Sequence, residues 1–131
     1  MLSTSRMHPV LPAASLQRAR AWYAEKLRLE PVMDLEGGLI YQTAGGMFLV
    51  YETPSASTAR NTAAGWVVDD LDATMAELRG RGVAFEDYDI VDGPTTVDGV
   101  ATSTSGRAAW FKDSEGNILS LTELPPGFAL A

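Results

Sequence analysis

The sequence has 131 residues, of which 46% are hydrophobic and 21% charged, so it is long enough for one compact domain with a buried core. Ten Lys and Arg residues against 17 Asp and Glu residues give a formal net charge of −7, which disfavours nucleic acids and anionic membranes as partners. The absence of cysteine excludes disulfides, zinc–thiolate sites and a cysteine nucleophile. No apolar run is long enough to span a membrane and no secretory signal is visible, so we expect a cytoplasmic protein.

The first half of the chain is predicted to fold in the order β-α-β-β-β. Val10–Ala13 is predicted to form a short strand, and Ser15 is a candidate N-cap for a helix that continues to Leu27 with apolar residues at helical spacing. Three strands separated by glycine-containing turns follow the helix. They are predicted at Glu30–Leu35, Leu39–Thr43 and Met47–Glu52.

The second half is predicted to repeat this order. Thr53–Thr62 is small, polar and contains a proline, which indicates a linker. The next elements are predicted to be a strand, a capped helix, two further strands and a hairpin. These are Ala64–Val68, a helix from Asp70 to Gly80, Val83–Tyr88, a short strand near Thr95–Val97 within the long segment 89–106, and the hairpin Ala108–Glu123.

The hairpin at Ala108–Glu123 has the most informative pattern in the chain. Its polar turn contains Gly116, which allows a positive φ, and Asp113 and Asn117, whose side chains can bond to the local backbone. The periodicity alone indicates no more than a surface hairpin on an α+β domain.

The residue types in this hairpin resemble the last hairpin of the glyoxalase/bleomycin-resistance/extradiol-dioxygenase superfamily, also called the vicinal oxygen chelate superfamily. The matching residues are Phe111, Asp113, Gly116, Asn117 and Leu121. Two residues depart from the family pattern, because Ser114 replaces the usual Pro and Ser120 replaces the usual Glu.

Two further stretches support the resemblance in the expected order. Ala21-Trp22-Tyr23 with Leu27 is similar to the family's helix motif, and Val68–Asp72 is similar to the start of its second helix. Arg28 stands where the family usually has glycine, and a non-glycine residue in a left-handed helix end costs about 1 kcal/mol.

The resemblance implies an α+β fold made of two tandem βαβββ modules, whose curled mixed sheets form a cup that holds the substrate. The modules would span about residues 8–52 and 63–124, joined by the linker 53–62, within a single domain over residues 1–131. A homodimer with a small-molecule ligand is the expected assembly.

The resemblance also specifies where a metal would bind. In metal-dependent members, four cup-facing side chains, mostly His and Glu, hold one divalent ion, and the corresponding positions here are His8, Leu49, Ala63 and Ser120. One imidazole is not enough for a divalent ion, so no metal cofactor is expected. Glu52 and Glu123 lie at odd offsets from these positions and are expected to point away from the cup.

Strand alternation predicts an apolar lining for the same cup. Ile118, Ser120 and Thr122 should share one face, and either Trp110 or Phe111 should contribute from the neighbouring strand. The predicted ligand pocket consists of His8, Tyr41, Met47, Leu49, Tyr51, Ala63, Gly65, Val67, Trp110, Ile118 and Ser120. Such a lining suits a flat or aromatic organic ligand, although the same residues could instead fill a solid core. The segment 89–106 is long enough to be a lid or a surface excursion.

Three functions are compatible with this pattern. The first is a metal-free protein that binds a small apolar or aromatic molecule, as the bleomycin-resistance members do. The alternative is a lyase, isomerase or dioxygenase of the glyoxalase type in which His8 acts as acid or base, with or without a divalent metal. His8 could equally be a polar residue at a strand end, and the third function is a structural or regulatory protein with a filled cup.

Overall fold

The computed structural model describes residues 1–127 and divides the chain into two compact units. The first unit comprises Met1–Ala63 and Asp113–Asn117, and the second comprises Ala64–Lys112 and the chain from Ile118 onward. The described residues form two four-stranded sheets. No helix within residues 1–127 is both long and apolar enough to cross a membrane.

The first sheet follows the predicted β-α-β-β-β order. After a short 3₁₀ turn at Leu2–Thr4, the elements are β1 (Val10–Ala13), α1 (Leu16–Trp22), β2 (Met33–Leu35), β3 (Gly38–Thr43) and β4 (Gly46–Glu52). Their spatial order is β1-β4-β3-β2, with β1 parallel to β4 and the other pairs antiparallel. Strand β2 is shorter than predicted, since the proline at position 31 has no N–H to donate to a ladder.

Helix α1 begins and ends as predicted. The Ser15 hydroxyl accepts a hydrogen bond from the Arg18 amide at 3.1 Å, which satisfies one free amide of the first turn. The helix continues as a π-helical turn at Tyr23–Leu27 and ends at Arg28, whose φ of 58° lies in the left-handed region. The chain therefore makes the expected left-handed helix end without glycine.

The core of the first unit lies between α1 and the first sheet, and it contains three aromatic rings. Tyr41 stacks on Phe48 with ring centroids 4.9 Å apart, and Tyr23 lies 5.3 Å from Tyr41. Tyr41 is fully buried and does not share a face with Met47 and Leu49, contrary to the sequence analysis. The reason is the register: Thr43 pairs with Gly46, so Tyr41 lies directly across from Phe48 and faces the helix with it.

The second sheet has the same order of elements. They are β5 (Thr62–Val67), α2 (Leu71–Gly80), β6 (Val100–Ser103), β7 (Gly106–Lys112) and β8 (Ile118–Glu123), with the spatial order β5-β8-β7-β6. Asp70 caps α2 by accepting a hydrogen bond from the Ala73 amide at 3.0 Å, and Leu71, Met75 and Leu78 are buried, as predicted. The predicted α+β class with two successive βαβββ arrangements is confirmed.

Two strand predictions in the second half are wrong. Val83–Tyr88 forms no strand, and only an isolated bridge links Phe85 to Phe111. The short strand predicted near Thr95–Val97 lies instead at Val100–Ser103. Asp87 explains the irregular backbone, because its carboxylate binds the Thr96 hydroxyl at 2.7 Å and the Gly99 amide at 2.8 Å, and such local bonds compete with a strand ladder.

Candidate ligand-binding cavity

The second sheet has one face against α2 and one face turned away from it. Ala109, Phe111 and Leu121 are buried and face α2. Strand alternation places Trp110 and Ala108 on the other face, where Trp110 lies directly across from Ser120. In the next row, Ala101, Ala108 and Thr122 lie side by side across β6, β7 and β8.

A cavity of about 500 Å³ lies over this face. Its lining includes Pro94, Thr95, Ala101, Ala108, Trp110 and Thr122, and we call it the Trp110 cavity. The small side chains of the two alanines leave open space above the middle strands, whereas the large indole ring of Trp110 forms one side of the cavity. A volume of this size is typical of sites for small organic molecules.

The ring of Tyr88 packs against the ring of Trp110. The two rings meet edge to face, with centroids 5.6 Å apart and planes inclined by 76°. The Tyr88 amide donates to the Thr96 hydroxyl at 2.8 Å, so the loop that carries Tyr88 is fixed by its own hydrogen bonds. Partial burial raises the pKa of the Tyr88 phenol above its usual value.

The charge nearest the cavity is already neutralised. Arg107 lines the cavity, but its guanidinium binds both Asp72 oxygens, at 2.6 and 3.2 Å, and lies 3.4 Å from a Glu123 oxygen. The hydrogen bond to Asp72 raises the pKa of Arg107 and lowers the pKa of Asp72. Glu123 also accepts from the Leu71 amide at 2.8 Å, which confirms that it points toward α2. The Trp110 cavity therefore presents mainly hydrocarbon, aromatic and hydroxyl groups.

Ser120 lies on the cavity face but is pressed against β5. A side chain at position 65 would clash with the Ser120 hydroxyl and lie 3.0 Å from the Ser120 carbonyl oxygen, so Gly65 leaves the space that Ser120 occupies. Val67, two residues further along β5, is 52% exposed. Gly65 thus allows Ser120 to pack closely against β5.

In the first unit, the predicted pocket residues of β4 form an apolar face away from α1. Leu49 lies between Val10 and Ile40 in the sheet, and Tyr51 is 38% exposed. His8 is exposed ahead of β1, and its Nδ1 lies 3.2 Å from the Pro9 carbonyl oxygen. Neither His8 nor the β4 residues line the Trp110 cavity.

Sequence reasoning found part of the cavity lining and missed part. Trp110 lines the cavity, and Ile118 and Ser120 share its face. Ala101, Ala108 and Thr95 were missed. Alternation from Trp110 was a sufficient signal for Ala108, whereas Thr95 comes from the irregular segment that no periodicity describes.

A second cavity of about 530 Å³ lies on the α2 side of the same unit. Arg79 lines it, donates to the Asp98 carbonyl oxygen at 3.1 Å and lies 5.2 Å from the centre of the Phe85 ring. Arg107 and Asp72, which are hydrogen-bonded to each other, also line it. These contacts fix the loop to the helix and account for the polar groups of this cavity.

The residues at the positions that hold metal in the resembling family do not fit a divalent ion. Leu49 and Ala63 carry no donor atom, and Ser120 offers only a hydroxyl held against Gly65. In the part of the chain that the structure describes, no group of three or more His, Cys, Asp and Glu side chains is placed to hold a metal.

No protein-family model matches the sequence, and no curated protein is significantly similar to it. Several solved structures share its fold. FosX, a fosfomycin resistance protein from Listeria monocytogenes, matches with a TM-score of 0.68 and 15% identity over 94% of this chain and 95% of that one. TnmS3, an antibiotic binding protein from Streptomyces sp. CB03234, has a TM-score of 0.66 and 23% identity over 93% and 98% of the two chains. Lactoylglutathione lyase from Agrobacterium tumefaciens has a TM-score of 0.67 and 18% identity over 92% and 93%.

The chain therefore has the fold of the glyoxalase/bleomycin-resistance/extradiol-dioxygenase superfamily, as the sequence resemblance predicted. At identities of 15% to 23%, the similarity establishes a shared fold. One protein of this fold, a FosX variant, was crystallised with Mn(II). Function must therefore be argued from the residues of this chain.

Proposed function

We propose that this protein binds a flat, uncharged organic molecule in the Trp110 cavity without using a metal ion. The observation that carries the proposal is the pairing of a large aromatic wall, Trp110, with a floor of small residues, Ala101 and Ala108, in a cavity of about 500 Å³. The indole supplies a stacking surface, and the alanines leave room for a ring system beside it.

The energetics favour an aromatic ligand. Each 100 Å² of apolar surface removed from water contributes about 2.5 kcal/mol. A ring packed against the indole gains roughly 0.5–1.5 kcal/mol beyond this area term. An ionic ligand gains nothing comparable, because the guanidinium of Arg107 is bound to Asp72 and Glu123.

The lack of ligating atoms at two of the family's metal positions supports ligand binding rather than metal-dependent catalysis. Leu49 and Ala63 cannot ligate an ion, and TnmS3, which shares this fold, is an antibiotic binding protein. We propose a similar role for this chain, with its own ligand. We further propose that the chain is a single domain within a cytoplasmic homodimer, and analytical ultracentrifugation would test the dimer.

A thermal-shift screen with planar aromatic compounds in EDTA tests the proposal. At least one compound should raise the melting temperature of the wild type. Ala108→Phe should abolish this rise, because the new ring occupies the cavity. Ala76→Phe is the matched control, since Ala76 is an exposed residue of α2, and it should respond as the wild type does. The proposal fails if no compound stabilises the wild type, or if Ala108→Phe responds equally.

A further inference from the structure

Thr122 places an unpaired hydroxyl beside the cavity floor. It lies directly across from Ala108, which in turn lies directly across from Ala101. Thr122 is therefore the member of this row with a polar side-chain atom. Within residues 1–127, its hydroxyl makes no hydrogen bond.

Two other hydroxyls of the lining are already engaged. The Ser103 hydroxyl accepts from the Ser105 amide at 3.1 Å, and the Thr95 hydroxyl lies 3.5 Å from an Asp89 oxygen. Thr122 differs from both because its hydroxyl is free to bond with a ligand.

A ligand that covers Thr122 without bonding to it pays a penalty. A buried hydroxyl left without a partner weakens binding, whereas a ligand oxygen that bonds to it removes this cost. Sites that carry such groups reject analogues lacking the matching oxygen.

The spacing along the strands fits one ring system. Trp110 and Ala108 are two residues apart on β7, which corresponds to about 6.6 Å along a strand. A bicyclic ring packed against the indole therefore reaches the row of Ala108 and Thr122 with its edge.

We propose that Thr122 selects aromatic ligands that carry a hydroxyl or carbonyl oxygen at one edge, as phenols and quinones do. This inference rests on the proposed function and names the ligand class for the same cavity. The hydroxyl can donate to a carbonyl or accept from a phenol, so it serves both members of the class. Thr122 thus determines specificity, while Trp110 and the alanines supply most of the contact area.

The test uses naphthol and methylnaphthalene, two bicyclic probes of similar size that differ in one hydroxyl. Dissociation constants are measured by calorimetry for the wild type, for Thr122→Val and for Thr62→Val. Valine has the shape of threonine without its hydroxyl, and Thr62 is an exposed strand residue outside the cavity. In Thr122→Val, the preference for naphthol should fall by about fivefold, the value of one hydrogen bond. In Thr62→Val it should be unchanged.

Each result is decisive. If both probes bind and the preference for naphthol survives in Thr122→Val, the role of Thr122 is refuted while the proposed function stands. If neither probe binds the wild type, both the proposed function and this inference are contradicted for bicyclic aromatics. A loss of affinity for both probes by the same factor in Thr122→Val assigns the residue a packing role and also refutes the inference.

Discussion

The guanidinium of Arg18 donates two hydrogen bonds to the carboxylate of Glu115, with Nε 2.7 Å from Oε2 and Nη2 2.8 Å from Oε1. The two residues are 97 positions apart, so this contact ties the turn of the last hairpin to α1 within the first unit. Glu115 also accepts from the amides of Ala14 and Ser15, at 2.9 and 3.0 Å, where it serves the start of the helix. Its side chain is completely buried.

Replacing Glu115 should destabilise the protein measurably. Glu115→Gln removes a buried charge that satisfies four donors of α1 and its start, and hydrogen bonds to charged groups are worth about 1.5–3 kcal/mol. We expect the free energy of unfolding in urea to fall by about 2–3 kcal/mol. Asp34→Asn is the control, because Asp34 and Arg20 form an exposed pair worth about 0–1 kcal/mol. Equal losses in the two variants would contradict this assignment.

The same carboxylate should make stability sensitive to acid. Burial alone would raise the pKa of Glu115, but the hydrogen bonds from Arg18, Ser15 and Ser114 outweigh it and lower the pKa to about 2. Because the folded-state pKa is depressed, this stabilisation is complete above the ordinary value of 4.5 and is lost as the pH falls toward 2. The stability difference between the wild type and Glu115→Gln should therefore shrink across this window. A difference that stays constant on acidification would show that Glu115 is not the responsible group.

Gly65 should tolerate no side chain. Gly65→Ala would force a methyl group against the Ser120 hydroxyl and should cost about 1–3 kcal/mol of unfolding free energy. Gly45→Ala is the matched control, because no atom lies within 4 Å of a side chain placed there, and its stability should be unchanged or slightly higher. Adding Ser120→Ala to Gly65→Ala should restore part of the loss. No rescue by Ser120→Ala would indicate that another contact is responsible.

Metal should be irrelevant to binding. Leu49 and Ala63 provide no ligand atoms, so EDTA should leave the dissociation constant for naphthol unchanged, and added Mn(II) should not raise the melting temperature. Calorimetry and a thermal scan measure these two quantities. Binding that disappears in EDTA and returns with Mn(II) would overturn the metal-free account.

The sequence predicted features that depend on neighbouring residues. The caps at Ser15 and Asp70 and the left-handed Arg28 follow from local hydrogen bonding and backbone geometry, and the structure confirms all three. The turn of the hairpin at Asp113–Asn117 was predicted for the same local reason, and Gly116 has the positive φ that the turn needs.

Features that depend on register or distant contacts were not predicted. Tyr41 was assigned to the wrong face because the turn before β4 was taken as three residues, whereas Thr43 pairs with Gly46 across a two-residue turn. The role of Glu115 could not be inferred, since no local pattern links it to Arg18. Thr95 reaches the cavity through a segment shaped by the side chain of Asp87, which strand periodicity does not describe.

The position of a bound ligand is the most direct test of the account. Crystals grown in EDTA and soaked with bromonaphthol would reveal the ring by its shape and the bromine by anomalous scattering. We expect the ring against the indole of Trp110, over Ala108, with its oxygen beside Thr122 and no metal ion in contact with it. A ring bound on the α2 side of the sheet, or a metal ion between ligand and protein, would contradict the central claim.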